Sequence, residues 1–255
     1  MSAHVAQDLR VALDPALMGA RIGMLLDPWQ VDVLRATEKQ MILLCSRQSG
    51  KSTVSSLLAL HEAMYRAPAL VLLLSPSLRQ SQELFRKVMD AYHGIGGSAV
   101  PVAEESALRL ELTNGSRIIA LPGKEATIRG YSGVSLLIED EASRVPDDLY
   151  QAIRPMLAVS GGKIVLLSTP WGKRGHFFVE WSQGGPEWKR VEITAHDCPR
   201  ISPEWLQAER RAIGDLAFRQ EYLCEFIETE DAVFSYADIE ATVTPDVQPF
   251  LERIF

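Results

Sequence analysis

Met41-Ile42-Leu43-Leu44-Cys45-Ser46-Arg47-Gln48-Ser49-Gly50-Lys51-Ser52-Thr53 decides how the rest of the chain reads. A short apolar run ends in small and polar residues, and Gly-Lys-Ser-Thr then opens a predicted helix from Val54 to Tyr65. That is the order strand, phosphate loop, helix. Backbone N–H groups of such a loop and the N-terminus of the helix form a positive concavity that suits the β- and γ-phosphates of a nucleotide. Lys51 adds a mobile cation, and the Ser52 hydroxyl is a ligand for Mg²⁺. The standard pattern begins with a glycine where this chain has Cys45. Taken alone, the stretch also reads as an ordinary strand-turn-helix with a lysine at the helix start, so the remaining sequence must decide.

The chain has 255 residues, 47% of them hydrophobic and 23% charged, enough for one large α/β domain or a core with a small appendage. A net charge of −7 argues against coating nucleic acid by bulk electrostatics, though not against a local basic patch. Cys45, Cys198 and Cys224 are too far apart for a disulfide framework or a zinc spacing and read as buried thiols in a reducing cytosol. The N-terminus has no signal-peptide pattern and no apolar run is long enough to span a membrane, which predicts a soluble, cytoplasmic protein.

Residues 1–27 are expected to wrap the core as helical turns. Asp27-Pro28-Trp29-Gln30 starts a helix, with Asp27 as N-cap and Pro28 at the first position. Strands and helices then alternate: a buried strand from Ala69 to Ser75, a helix from Ser77 to Tyr92, and strands at Val134–Ile138, Lys163–Ser168 and Lys189–Ile193. Thr113-Asn114-Gly115 joins two strands as a hairpin, expected at an edge of the sheet. A helix is expected around residues 147–158. The pattern predicts a mostly parallel sheet with helices on both faces. From Ser202 the chain turns helical, giving a core over 1–200 and a small helical subdomain over 201–255 that ends without a polar tail, as if a longer protein continued.

A second constellation is Leu136-Leu137-Ile138-Glu139-Asp140-Glu141-Ala142, an apolar strand delivering acids at its C-terminal end. Ligands of open parallel sheets gather there. Asp140 is placed to hold Mg²⁺, and Glu141 to orient and deprotonate an attacking water. Glu139 alternates to the other side and reads as solvent-facing or structural. A third signal, Val165-Leu166-Leu167-Ser168-Thr169-Pro170, would set Ser168 and Thr169 beside the phosphates, where they sense the γ-phosphate.

These three segments resemble the Walker A, Walker B and coupling motifs of large terminase subunits, the ATPases that drive DNA into the procapsids of tailed bacteriophages. The resemblance runs from about Asp27 to Phe226. It implies an additional-strand, RecA-like P-loop ATPase core followed by a lid, with ATP and Mg²⁺ held by Ser46, Arg47, Gln48, Ser49, Gly50, Lys51, Ser52 and Thr53. Gln30 matches the family's adenine-reading glutamine; a carboxamide can both donate to N7 and accept from the 6-amino group. Arg47 matches a phosphate-loop arginine acting in cis, and Arg129 a finger acting in trans on a neighbouring subunit. The family also implies double-stranded DNA, a portal protein and a small terminase subunit as partners. It further implies a homo-oligomeric ring on the procapsid in the host cytoplasm, the isolated domain being monomeric. No carboxylate cluster follows residue 230, so the family's C-terminal nuclease activity is not expected here. The basic pairs Lys173-Arg174, Lys189-Arg190 and Arg210-Arg211 read as solvated charge, and Lys173-Arg174 is the candidate among them for a contact with DNA or the lid. A superfamily-2 helicase shares the same signals but needs a second RecA-like domain. A non-catalytic nucleotide switch would not need Glu141.

Overall fold

The structure, a computed structural model, describes residues 3–96, 100–123 and 130–228. Helices α1 (Ala3–Leu13) and α2 (Leu17–Arg21) precede α3 (Pro28–Arg35), which starts with Asp27 as N-cap and Pro28 in its first turn. Strand β1 (Gln40–Cys45) feeds α4 (Lys51–Tyr65), and β2 (Leu70–Ser75) feeds α5 (Leu78–Ile95). The Ser77 hydroxyl caps α5 by accepting the Gln80 N–H. Three strands follow: β3 (Val102–Ser106), β4 (Arg109–Leu112) and β5 (Arg117–Pro122). Then come β6 (Leu136–Asp140), α6 (Asp147–Ile153), β7 (Lys163–Ser168), α7 (Gly175–Ser182) and β8 (Trp188–Ile193). Two helices end the described chain, α8 (Pro203–Ile213) and α9 (Asp215–Leu223).

The strands form one sheet in the order β3-β4-β5-β2-β6-β7-β1-β8. From β5 to β8 all neighbours pair in parallel. Strand β7 stands between β1, which leads into the phosphate loop, and the acidic strand β6. Alternation sends Met41, Leu43 and Cys45 of β1 to one core, under α4 and α5, and Ile42 and Leu44 to the other, under α6 and α7. Both faces are thus covered, as the near-continuous apolar runs require.

One expectation changes, and two details were not foreseen. The β4–β5 hairpin forms around Asn114-Gly115 but is not the edge, because β3 pairs outside β4. Val-Ala-Glu-Glu-Ser of β3 is mostly exposed and lacks the alternation that marks a strand. The helical segment beginning at Ser202 resolves into two helices. Gly214, at φ +83°, breaks it, and Leu206, Phe218 and Tyr222 close the pair over a small core of their own. Finally, helix α7 had no clear signal; its Phe177 is buried against the second face, and Phe178 is buried beside Phe226.

Candidate nucleotide-binding site

The loop between β1 and α4 is held from three sides. Ser46 N–H donates to Ile193 O at 2.8 Å, and Arg47 N–H to Glu221 O of α9 at 2.9 Å. Arg200 Nη2 donates to Ser49 O at 2.9 Å. Gln48 takes a left-handed φ of 58° without being glycine, a strain of about 1 kcal/mol that the surrounding packing must sustain. Gly50 has no such freedom to vary. Its φ is +97°, and a Cβ there would lie 2.7 Å from Gln30 Nε2. Gly50 is also the N-cap of α4 and supplies no side-chain cap, so the N–H groups of the first turn are left for a ligand.

The loop floors a cleft of 540 Å³ lined by Gln30, Arg47 to Thr53 and Glu141. Ser46 is buried behind it. Lys51 Nζ lies 2.9 Å from Glu141 Oε1, with both side chains largely covered. Burial works against the Lys51 ammonium, but Glu141 and Asp140 outweigh it and its pKa is raised. Glu141 itself sits in the left-handed region, at φ 55°, which turns its side chain back over the loop.

Asp140 is 7% exposed, and its Oδ1 has no hydrogen-bond partner. Burial pushes its pKa up to about 6, with Lys51 pulling the other way. An orphaned buried carboxylate oxygen at the end of β6, near a helix that begins Lys51-Ser52, fits a hard cation with oxygen ligands. No group of three or more His, Cys, Asp or Glu forms a metal cage among the described residues. Mg²⁺ in nucleotide sites seldom has one, since phosphates and water complete its shell. Because the folded-state pKa lies above the ordinary 3.8, ionising Asp140 costs stability progressively as pH rises from about 4 through about 6. Asp140→Asn is therefore expected to stabilise the nucleotide-free chain at pH 8 by about 3 kcal/mol in urea denaturation. An unchanged or lower midpoint would mean that Asp140 is not strained there.

Other expected site residues are placed differently. Ser168 and Thr169 are buried and do not line the cleft. The Ser168 hydroxyl lies 2.7 Å from Ser143 Oγ, which itself donates to Thr169 O at 2.8 Å. They touch the turn after the acidic strand. Arg47 lines the cleft but pairs with Glu221, Nε to Oε2 3.4 Å, and is 64% exposed. Arg129 lies outside the described residues. Glu139 is not solvent-facing: it is fully buried, 3.0 Å from His176 Nε2. Burial pushes the Glu139 carboxyl pKa up, with His176 pulling the other way. Lys173 pairs with Glu228 at 3.0 Å, on the segment after α9. Cys45, in place of the loop's first glycine, is fully buried, and burial pushes its thiol up to about 12, which leaves it inert.

Four residues of the cleft carried no sequence signal: Met24 and Leu25 before α3, Lys87 on α5, and Arg200 after β8. Each is brought in by the fold from a distant part of the chain.

A parallel sheet with one strand between the phosphate-loop strand and the acidic strand, and a Lys-Glu pair across the cleft, defines an additional-strand P-loop nucleotide-binding domain of RecA-like fold. The family model "Terminase large subunit, T4likevirus-type, N-terminal" matches residues 42–241, and the chain belongs to that family. Over 245 residues it is 27% identical to the terminase large subunit of Thermus phage G20c, covering 82% of this chain and 50% of the relative. It thus spans about half the length of the curated relatives it matches. The large terminase ATPase domain of Thermus phage P74-26 superposes with a TM-score of 0.73 at 25% identity, covering 82% of this chain and 97% of that one. The large terminase of another thermophilic bacteriophage, solved in complex with ADP, shares the fold with a TM-score of 0.66 at 15% identity, over 79% and 54% of the two chains. The family match decides between the terminase and helicase readings in favour of the first. Among the described residues no helix is long and apolar enough to cross a membrane.

Proposed function

We propose that this chain is the ATP-hydrolysing motor part of a terminase large subunit, which moves double-stranded viral DNA into a procapsid. The observation that carries this reading is the convergence of Lys51, Glu141 and Asp140 on the phosphate loop. The thermophilic-phage terminase solved with ADP, a relative in fold, has also been solved with ATP-gamma-S. That supports a nucleotide in the same cleft here.

In the free chain Lys51 is spent on Glu141. A γ-phosphate carries more charge than one carboxylate and would draw Lys51 away, leaving Glu141 free to take a proton from water. The water oxygen then attacks the γ-phosphorus, the bond to the bridging oxygen breaks, and ADP and phosphate leave. Asp140 and Ser52 would hold Mg²⁺, which neutralises charge on the phosphates when bound. Arg47 stands at the rim of the cleft, and release from Glu221 would let it add a second cation. Portal protein, a small terminase subunit and a homo-oligomeric ring are the partners this activity needs. The Lys173-Arg174 pair is tied back by Glu228 through Lys173, which supports the lid role for that lysine rather than a DNA contact.

Lys51→Ala is expected to lower Mg²⁺-dependent phosphate release from ATP by at least about 10²-fold, in keeping with the loss of one preorganised charge at the transferred group. A variant that releases phosphate at the parent rate would overturn the reading.

A further inference from the structure

Arg200 lies on the link between β8 and α8, and it touches both the residue that starts α3 and the phosphate loop. Its Nη1 is 2.6 Å from Asp27 Oδ1, and its Nη2 donates to Ser49 O at 2.9 Å. Asp27 in turn donates its backbone N–H to Gln30 Oε1 at 2.8 Å, while Gln30 Nε2 points to Gly50 O at 3.5 Å. Arginine, aspartate, glutamine and the phosphate loop therefore close a ring of contacts around Gly50. The ring fixes which way up the Gln30 carboxamide lies, because only its oxygen can accept the Asp27 N–H.

That orientation has a chemical consequence. A carboxamide held with its oxygen and nitrogen in fixed places can accept from the 6-amino group of adenine while donating to N7. Turned over, it would donate toward the 6-oxo group of guanine. A free amide serves either base; a locked one selects. The Asp27 carboxylate is 9% exposed and Arg200 is the charged partner that holds it, whereas Arg200 itself is half open to solvent.

We propose that Arg200 is a positioning residue for base recognition, locking Gln30 through Asp27 so that the cleft distinguishes adenine from guanine nucleotides. The assignment rests on the nucleotide-site reading above. Because Arg200 is on the segment that leads into α8 and α9, any displacement of those helices would reach the base through it.

The test is equilibrium binding of fluorescent ATP and GTP analogues to the whole chain, with thermal melting of each variant as a check on folding. The parent is expected to prefer the ATP analogue. Arg200→Ala should weaken that analogue about tenfold and leave the GTP analogue nearly unchanged, so that the preference collapses. Arg200→Lys, which keeps the charge but lacks the two-pronged reach, should recover only part of the preference. Equal weakening of both nucleotides, or a preserved preference in Arg200→Ala, overturns the assignment and leaves the nucleotide site standing. A parent chain that binds neither analogue overturns the nucleotide site itself, and the assignment with it.

Discussion

Glu141→Gln is expected to bind ATP and hydrolyse it at least about 10³-fold more slowly than the parent, because the amide cannot take the proton from water. The substitution keeps the shape and removes only the charge. It also releases Lys51, whose pKa is raised chiefly because Glu141 and Asp140 outweigh the effect of burial. Nucleotide affinity should therefore hold or rise while turnover collapses, since Lys51 no longer has to leave a carboxylate for the phosphate. Single-turnover phosphate release, measured beside equilibrium ATP binding, separates the two effects. Loss of binding in proportion to loss of rate would make Glu141 a structural partner of Lys51 and not the base.

The second large effect concerns folding. His176, on α7, is buried between Glu139 of β6 and Asp147 of α6, with 3.0 Å to each carboxylate from its two ring nitrogens. Its ring also stacks on Tyr150, with centroids 4.2 Å apart. Burial disfavours the charged ring, but the two carboxylates outweigh it, and the His176 pKa is raised. His176→Ala would leave Glu139 buried with no charged partner, and the loss is expected to be about 3 kcal/mol in urea denaturation at pH 6. A raised histidine pKa stabilises the fold fully below pH about 6.5 and loses that contribution as pH climbs through the folded-state value. The parent should lose stability as pH rises above about 6.5; His176→Ala should lack the histidine's part of that slope and keep only the part from ionising the buried Glu139, whose pKa is also raised. Equal midpoints at pH 6 would mean that the ion pair gives nothing net. The result bears on function because Glu139 is the neighbour of Asp140, and α7 follows the turn after Thr169.

Residue types carried the central elements without help. Short apolar runs at Met41–Cys45, Ala69–Ser75 and Lys163–Ser168, bounded by turn residues, read as strands covered on both faces, and Asn114-Gly115 as a tight turn, and those elements stand close to where they were read. Strand β3 and helix α7 were not legible. The first is a polar edge strand held by pairing to β4, and the second is short and buried by contacts from elsewhere in the chain.

The phosphate loop shows the same division within one site. Met41 to Thr53 by itself determined a strand, a turn that requires Gly50, and a helix whose free N–H groups meet a lysine, because those features depend on local backbone geometry. Tertiary structure alone decided what surrounds them. It buried Cys45, paired Lys51 with Glu141 and Arg47 with Glu221, turned Glu139 inward to His176, and brought Arg200 onto Ser49. Each of those contacts joins residues far apart in the chain. Their geometry follows from strand order and crossover packing, which no window of sequence contains.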